Sequence, residues 1–178
     1  MTIYLIRHGQ SEFNAVFKGS RDPMIFDAPL TSLGQSQAED TRAKAADLNV
    51  SHIICSPLTR AIQTARLIFP DRQPEVMQDA REHLGHSCDV GRDPAALSDE
   101  FPDMTFDHLP EIWWHQGPLN ENSIPVEPWD VFRTRMQFLR TTLGAPPARP
   151  LAVVCHGHVI RELTGVDPAN CQIVELKT

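Results

Sequence analysis

Three short apolar runs, each stopped abruptly by polar residues, constrain the fold of this chain more than any other feature of its sequence. They cover residues 3–6, 52–55 and 151–155. Runs of this length are typical of strands that are buried on both faces of a sheet. Segments with helical periodicity lie between them, so strands and helices alternate along the chain. The alternation predicts an α/β fold built on a largely parallel sheet.

Periodicity and capping residues predict the elements between and after these strands. A loop is expected from the end of the first strand to about residue 30. A first helix, with Thr31 or Ser32 as its N-cap, is expected to continue to about Leu48. A second is expected to have Ser56 as its N-cap and Pro57 as its first helical residue. Trp129 is expected to face inward in the helix that is predicted over residues 127–143. The later predicted elements are a short helix over 93–101, a helix over 127–143, a short helix after 157 and a strand over 173–176.

The length of the chain predicts one domain with an insertion. Its 178 residues suffice for one sizeable core, so a single domain over 1–178 is expected. Residues from about 75 to 126 hold many prolines, histidines and acids, and we interpret them as an insertion over one end of the core. Within it, Trp113 and Trp114 either line an apolar wall for a substrate or pack in the core of the insertion.

Composition limits the classes of partner and the compartment. No apolar run approaches the roughly 20 residues of a membrane span, and the first residues do not resemble a signal peptide. Cys55, Cys88, Cys155 and Cys171 form no Cys-x-x-Cys pair. Buried free thiols and a cytoplasmic protein are therefore expected. The net charge of −7 and the lack of a basic stripe argue against nucleic acid as a partner.

The polar residues that stop the strands indicate a ligand site. Arg7 and His8 follow the first strand, Arg60 lies just after the second, and His156 and His158 follow the third. Because ligands bind beyond the carboxyl ends of parallel strands, these side chains are expected to meet at one edge of the sheet. Two histidines and two arginines in one place predict an anion site in an otherwise acidic protein.

Four motifs in order then identify a resemblance to a known family. They read R-H-G-Q-S-E-F-N over 7–14, D-A-P-L-T-S-L-G-Q-S-Q-A over 27–38, S-P-L-T-R-A-I-Q-T-A over 56–65, and H-G at 156–157. The chain resembles the histidine phosphatase (phosphoglycerate-mutase-like) superfamily. The expected fold class is thus α/β, a three-layer sandwich with a mostly parallel central sheet, helices on both faces, and an insertion over the carboxyl ends of the strands.

The resemblance also implies roles for individual residues. His8 would attack phosphorus as a neutral imidazole and carry the phosphoryl group, with the carbonyl of Gly9 holding its other ring nitrogen. The donors expected to stabilise the phosphoryl oxygens are Arg7, Arg60 and His156, with Asn14 and Gly157 matched from the motifs. The charges of the two arginines should lower the pKa of His8.

A carboxylic acid is needed to protonate the leaving group. Glu82 lies where the family usually places its acid, and Asp79 and Asp89 are the alternatives in reach. The role requires Glu82 to be protonated when substrate binds, so partial burial or the charge of the phosphate itself should raise its pKa. Arg92 and His158 are candidates for contacts to the distal part of the substrate.

The sequence leaves the final acceptor of the phosphoryl group open. The segment 112–115 lacks the arginine pair of cofactor-dependent phosphoglycerate mutases, and the chain stops at residue 178, which favours water as acceptor. We therefore expect a metal-independent phosphomonoesterase that acts on a small phosphorylated metabolite, releases inorganic phosphate and needs no cofactor. A mutase and a non-catalytic phosphate-binding module are the alternatives. The spacing of His83, His86 and Cys88 does not favour a zinc site. The oligomeric state stays open.

Overall fold

The computed structural model describes residues 2–145 and 150–177. A five-stranded sheet forms the centre of the molecule, in the order β3-β2-β4-β1-β5. The first four strands are parallel to one another, and β5 is antiparallel to β1. The strands are β1 (Ile3–Arg7), β2 (His52–Cys55), β3 (Glu75–Val76), β4 (Leu151–Cys155) and β5 (Ile173–Leu176).

Helices cover both faces of this sheet, which confirms the predicted three-layer α/β fold. Helices α2 and α3 pack with one face of the sheet, and α5 and α6 pack with the other. None of the helices in the described ranges is both long enough and apolar enough to cross a membrane. The helices are α1 (Glu12–Val16), α2 (Ser32–Ala46), α3 (Thr59–Ile68), α4 (Pro94–Glu100), α5 (Trp129–Gly144) and α6 (Gly157–Thr164).

Strand β4 illustrates why the apolar runs become central strands. All five of its residues are buried. Successive side chains of a strand point to opposite faces, so Val153 and Cys155 enter the core beneath α5 and α6. Ala152 and Val154 enter the core beneath α2 and α3. A strand in this position needs apolar residues without alternation, as the sequence has.

The predicted start of α3 is wrong by two residues. The helix begins at Thr59, and Leu58, its N-cap, makes no side-chain capping bond. The capping acceptor comes from elsewhere in the chain, because the carboxylate of Asp27 accepts hydrogen bonds from the Thr59 amide at 2.8 Å and from its hydroxyl. Ser56 instead accepts a bond from the amide of Leu58. Residues 56–58 therefore form an extended connection that leads out of β2.

Two further expectations about helices need correction. Trp129 is the first residue of α5 and is 47% exposed, so it does not face inward. Phe132, Met136 and Leu139 do face the core, as their spacing predicts. The segment after β1, expected to be a loop, contains α1, whose N-terminus is closed by a reciprocal pair of hydrogen bonds between Ser11 and Asn14.

The segment interpreted as an insertion begins with a strand of the sheet, β3, so its first residues extend the central layer. Further along, Leu97, Phe101 and Trp113 join the core on the side of α3. The indole nitrogen of Trp113 donates to the carbonyl of Arg92 at 2.8 Å. Trp113 is therefore a core residue and not a wall of a substrate site, and Trp114 packs edge-on against it.

Candidate active site

The register of the sheet brings three strand ends to one edge. Arg7 at the end of β1 pairs with Cys155 at the end of β4, and Cys55 of β2 pairs with Val154. The His8 amide then donates to the Cys155 carbonyl at 3.0 Å. His8 and His156 consequently leave the sheet side by side, and their ring centroids are 5.1 Å apart.

The orientation of the His8 ring is fixed by its own loop. Its Nδ1 donates to the carbonyl of Gly9 at 2.6 Å, which leaves the lone pair on Nε2. Nε2 accepts a bond from Arg60 Nε at 3.3 Å. Burial, together with the positive charges of Arg60 and Arg7, holds the pKa of His8 well below its usual 6.5. The ring is therefore a neutral imidazole with its nucleophilic nitrogen against a guanidinium, as predicted.

Two glycines let the His8 loop contact helix α2 directly. A Cβ at Gly9 would lie 2.4 Å from the carbonyl oxygen of Gly34, and a Cβ at Gly34 would lie 2.1 Å from the carbonyl oxygen of Gln10. The Gly9 amide also donates to the hydroxyl of Thr64 at 3.0 Å. The carbonyl that orients His8 is thus held by backbone contacts with α2 and by a side chain of α3.

Arg60 is buried and held from behind. One of its terminal nitrogens donates to the carbonyl of Cys88 at 2.6 Å, and the other donates to the carboxylate of Asp89 at 2.9 Å. Its side chain is 3% exposed. The guanidinium therefore stands fully desolvated beside His8, where its attraction for an anion is strong.

Three buried polar nitrogens in this pocket have no hydrogen-bond partner among the residues that the structure describes. They are Nε of Arg7 and both ring nitrogens of His156. Arg7 is anchored through another nitrogen, which donates to the carbonyl of Pro168 at 2.7 Å. Buried polar groups are nearly always paired in folded proteins, so unpaired ones beside His8 indicate a ligand that satisfies them. Burial and the charge of Arg60 also lower the pKa of His156 well below 6.5.

The carboxylate of Glu82 borders the same pocket. Its two oxygens accept hydrogen bonds from the amides of His83 at 2.9 Å and His158 at 3.2 Å. A Cβ at Gly157 would lie 3.6 Å from Arg7 Nε and 3.9 Å from Glu82 Oε2, so these residues adjoin one another. Burial favours the neutral acid, but hydrogen bonds from His158 and His83 outweigh it and lower the pKa of Glu82. Burial alone therefore does not raise this pKa in the substrate-free protein, and protonation of Glu82 when substrate binds stays a prediction.

Comparison of this sequence with known protein families gives the same assignment as its motifs. The family model described as "Histidine phosphatase superfamily (branch 1)" matches residues 3–173. This chain belongs to the histidine phosphatase superfamily.

Relatives within the superfamily have different names. A "Probable phosphoglycerate mutase GpmB" from Enterobacter sp. (strain 638) is 37% identical over 81 residues, which are 46% of this chain and 36% of that protein. The alpha-ribazole phosphatase from Shigella flexneri is 25% identical, with a TM-score of 0.60 over 93% of this chain and 80% of that one. A mycobacterial glucosyl-3-phosphoglycerate phosphatase in complex with VO3 has the same fold at 22% identity, with a TM-score of 0.63 over 98% and 91% of the two chains. The superfamily thus contains phosphoryl-transfer enzymes of both the phosphatase and the mutase kind.

Asp79 and Asp89, the alternatives to Glu82 as the acid, lie in different surroundings. Asp89 borders the pocket, but its oxygens accept bonds from Arg60 and from the amides of Gly85 and His86. Asp79 lies 3.7 Å from Arg81 and is partly exposed. The carboxylate of Asp89 therefore serves to orient Arg60, and Glu82 remains the candidate acid.

Two predicted substrate ligands, Arg92 and Asn14, make hydrogen bonds within the protein that were not predicted. The guanidinium of Arg92 donates to Asp27 at 2.9 Å and to Thr59 at 2.7 Å, and it lies 2.8 Å from Glu100. Arg92 thus holds the start of α3, and its contact with the distal part of a substrate stays a prediction. Asn14 caps α1 through its side-chain oxygen and is exposed, so its amide nitrogen alone is left for a phosphate.

A buried ion pair that was not predicted from the sequence supports the backbone of the candidate acid. Arg135 of α5 donates to the carboxylate of Glu127 at 3.0 and 2.7 Å. It also donates to the carbonyls of Asp79 at 2.8 Å, Arg81 at 2.9 Å and Glu82 at 3.2 Å. One guanidinium therefore holds the backbone that carries Glu82. The only signal in the sequence is an arginine next to the apolar stripe of α5, which is also common at surfaces.

No group of three or more histidine, cysteine, aspartate or glutamate side chains suited to a metal ion is found among residues 2–145 and 150–177. Four cysteines are free and buried. Burial raises the pKa of the Cys171 thiol to about 11. The thiols are therefore neutral packing groups, as their scattered positions predict.

Proposed function

We propose that this chain is a phosphomonoesterase that hydrolyses a small phosphorylated metabolite through a phosphohistidine on His8. The observation that carries the proposal is the set of unpaired buried nitrogens on Arg7 and His156, next to the lone pair of His8 Nε2. A phosphoryl group placed there would accept hydrogen bonds from Arg7 Nε and from the protonated ring nitrogen of His156, and would lie next to the lone pair of His8.

The first half of the proposed reaction transfers the phosphoryl group to the protein. Nε2 of His8 forms a bond to phosphorus while the bond from phosphorus to the leaving oxygen breaks. Arg7, Arg60 and His156 donate to the three equatorial oxygens, whose negative charge grows in the transition state. The leaving oxygen takes a proton from Glu82. The inferred products are an alcohol and phosphohistidine.

The second half returns the site to its starting state. A water molecule attacks phosphorus, Glu82 removes its proton, and the bond from phosphorus to His8 Nε2 breaks to release inorganic phosphate. Glu82 must therefore bind a proton once substrate is present, although its pKa is lowered in the substrate-free protein. A phosphate dianion beside the carboxylate raises that pKa, because like charges disfavour ionisation.

Hydrolysis of p-nitrophenyl phosphate in the presence of a metal chelator tests this proposal. His8→Ala should lose activity by at least about 10^3-fold, since it removes the nucleophile. His52→Ala is the matched control, because His52 is partly exposed and contacts Glu75 at the far end of β2. Equal rates for the native protein and His8→Ala would reject the mechanism and favour a non-catalytic phosphate-binding module. Loss of activity on chelation would reject metal independence.

A mutase is the second candidate, because a relative carries that name. The alignment spans 36% of that relative, and the segment 112–115 provides no arginine for a second anionic group. Interconversion of 2- and 3-phosphoglycerate faster than phosphate release would favour the mutase. Phosphate release without interconversion would favour the phosphatase.

The buried free cysteines support a reducing compartment such as the cytoplasm.

A further inference from the structure

A cavity of about 350 Å³ opens beside the candidate acid, on the outer side of His158. It lies between the first turns of α5 and the exposed side of α6. We call it the outer cavity, and the residues that line it are Trp129, Arg133, His158, Arg161 and Glu162. None of these residues has a role in the phosphoryl-transfer steps proposed above.

His158 connects the outer cavity to the site of proton transfer. Its Nδ1 lies 3.5 Å from Glu82 Oε2, and its ring packs edge-on against Trp129 at a centroid distance of 5.5 Å. The acid must contact the leaving oxygen, so the leaving group lies on the Glu82 side of the phosphorus. A leaving group that extends past His158 therefore enters the outer cavity.

The charges in the outer cavity favour an anion. Arg133 and Arg161 contribute two guanidinium groups, and Glu162 contributes one carboxylate. The shortest ion pair of either arginine within the described ranges is the loose contact of 3.8 Å between Arg133 and Glu162. Because the charges of these two arginines are only weakly neutralised, they form a local positive region in a chain of net charge −7. Planar guanidinium groups bind carboxylates and phosphates with two parallel hydrogen bonds.

Trp129 gives the outer cavity a rigid wall. Its indole stacks on the ring of His83 with centroids 3.9 Å apart and planes 8° from parallel, and Phe132 packs against its edge. His83 is itself anchored, because its Nε2 donates to the carbonyl of Glu127 at 2.8 Å. An exposed aromatic ring that is held in this way can exclude water from one side of a bound group.

We propose that the outer cavity binds the leaving group of the substrate, and that this group carries an anion of its own, a carboxylate or a second phosphate, held by Arg133 and Arg161 against Trp129. The inference rests on the proposed phosphomonoesterase function. It narrows the substrate class to phosphomonoesters of an already anionic alcohol.

Two matched pairs of substrates test this inference. In each pair one member carries a carboxylate and the other does not: 3-phosphoglycerate against glycerol 3-phosphate, and 4-carboxyphenyl phosphate against phenyl phosphate. The two pairs place the carboxylate at a short and a long distance from phosphorus. In at least one pair, kcat/KM should be about tenfold higher for the carboxylate, as expected for charge-assisted hydrogen bonds at a partly exposed site.

The double variant Arg133→Gln/Arg161→Gln should bring the ratio of the two kcat/KM values in a pair close to one. The change should come mainly from a higher KM for the substrate with the carboxylate. Arg66→Gln is the control, because Arg66 is a partly exposed arginine of α3 that pairs with Asp103 at 2.7 Å. The ratio is measured on one preparation, so partial unfolding of a variant cancels from it.

The outcomes separate the two proposals. His8-dependent turnover without preference for the carboxylate in either pair would overturn the anionic leaving group and leave the phosphomonoesterase intact. A preference that survives in Arg133→Gln/Arg161→Gln would overturn the assignment to the outer cavity. Absence of any His8-dependent turnover would reject the phosphomonoesterase, and the inference with it.

Discussion

The phosphate pocket and the segment that carries Glu82 are built in different ways. Arg7, His8 and His156 come directly from strand ends, so the hydrogen bonds of the sheet fix their spacing. Glu82 lies between two short 3₁₀ helices, Gln78–Ala80 and Ser87–Asp89, in irregular backbone. A side chain of α5 holds that backbone in place. In this protein the sheet positions the groups proposed to bind phosphate, whereas a buried ion pair positions the group proposed to transfer protons.

The largest expected effect lies in the pocket. Arg60→Ala should lower kcat/KM by about 10^3 to 10^4-fold for every phosphomonoester, because a desolvated guanidinium stabilises the charge of the transition state. The loss should be the same for p-nitrophenyl phosphate and for an alkyl phosphate. Arg60→Lys is the conservative control and should recover part of the activity, since it keeps the charge and loses the planar fork. A loss below tenfold in Arg60→Ala would show that Arg60 does not contact the phosphoryl group.

Replacement of the acid should discriminate between substrates, which would sharpen the contrast between the two regions. Glu82→Gln should lower kcat for an alkyl phosphate by about 10^2 to 10^3-fold, because an alkoxide needs a proton to leave. The effect on p-nitrophenyl phosphate should be much smaller, since its leaving oxygen is a weak base. Asp79→Asn is the control for the alternative acid. A larger substrate-dependent loss in Asp79→Asn would move the assignment away from Glu82.

Breaking the ion pair tests how the acid is positioned. Arg135→Met leaves the buried carboxylate of Glu127 with only a looser contact, 3.6 Å from Arg81, so the free energy of unfolding should fall by about 3 kcal/mol. The kcat for an alkyl phosphate should fall about tenfold more than the kcat for p-nitrophenyl phosphate, which is the signature of a displaced Glu82. Activity assays at low temperature and denaturant titrations measure the two effects separately.

The double variant Arg135→Met/Glu127→Met separates stability from positioning. It removes both charges and should recover much of the lost stability, since apolar residues of similar size replace a buried pair well. It should not recover the activity on alkyl phosphates, because no donor then holds the carbonyls of residues 79, 81 and 82. Recovery of both would show that Arg135 acts on stability alone.

The smallest expected effect is on the dependence of stability on pH. His8 and His156 have folded-state pKa values below the usual 6.5, so the unfolded chain binds more protons in this range. Their contribution to stability is complete above pH 6.5 and is lost as pH falls below it, by up to about 1.4 kcal/mol per pH unit for each histidine. His156→Gln should make this decline shallower between about pH 6.5 and 5. His52→Gln is the control, and an identical slope in His156→Gln and the native protein would contradict the pKa shift.

The sequence was sufficient for the elements whose causes are local. Apolar runs and helical periodicity located β1, β2 and β4 and the inward face of α5, and strand ends in a parallel sheet meet at one edge regardless of detail. The resemblance then selected His8, Arg60 and His156 from among many polar residues. What was missed depends on contacts between distant segments. The start of α3 is fixed by Asp27, thirty-two positions away from Thr59.

The segment that carries Glu82 was less predictable, because its contacts also join distant parts of the chain. The lowered pKa of Glu82 depends on the imidazole of His158 and on the amide of His83, and His158 lies 76 positions along the chain. The role of Arg135 depends on three carbonyls that no local pattern reveals. A carboxylate at the right place in a motif predicts its identity, but the direction of its pKa shift is a property of the assembled site.

The contact between the His8 loop and α2 has a consequence for evolution and for protein engineering. At positions 9 and 34 even one methyl group has no room, although Gly34 is far from the reacting atoms in sequence and carries no functional group. Alanine at position 34 would push the loop outward and turn the imidazole away from its line of attack, while every charge in the protein stays as it was. Such a change would go unnoticed in a search that ranks positions by chemical type, and it would still slow the enzyme.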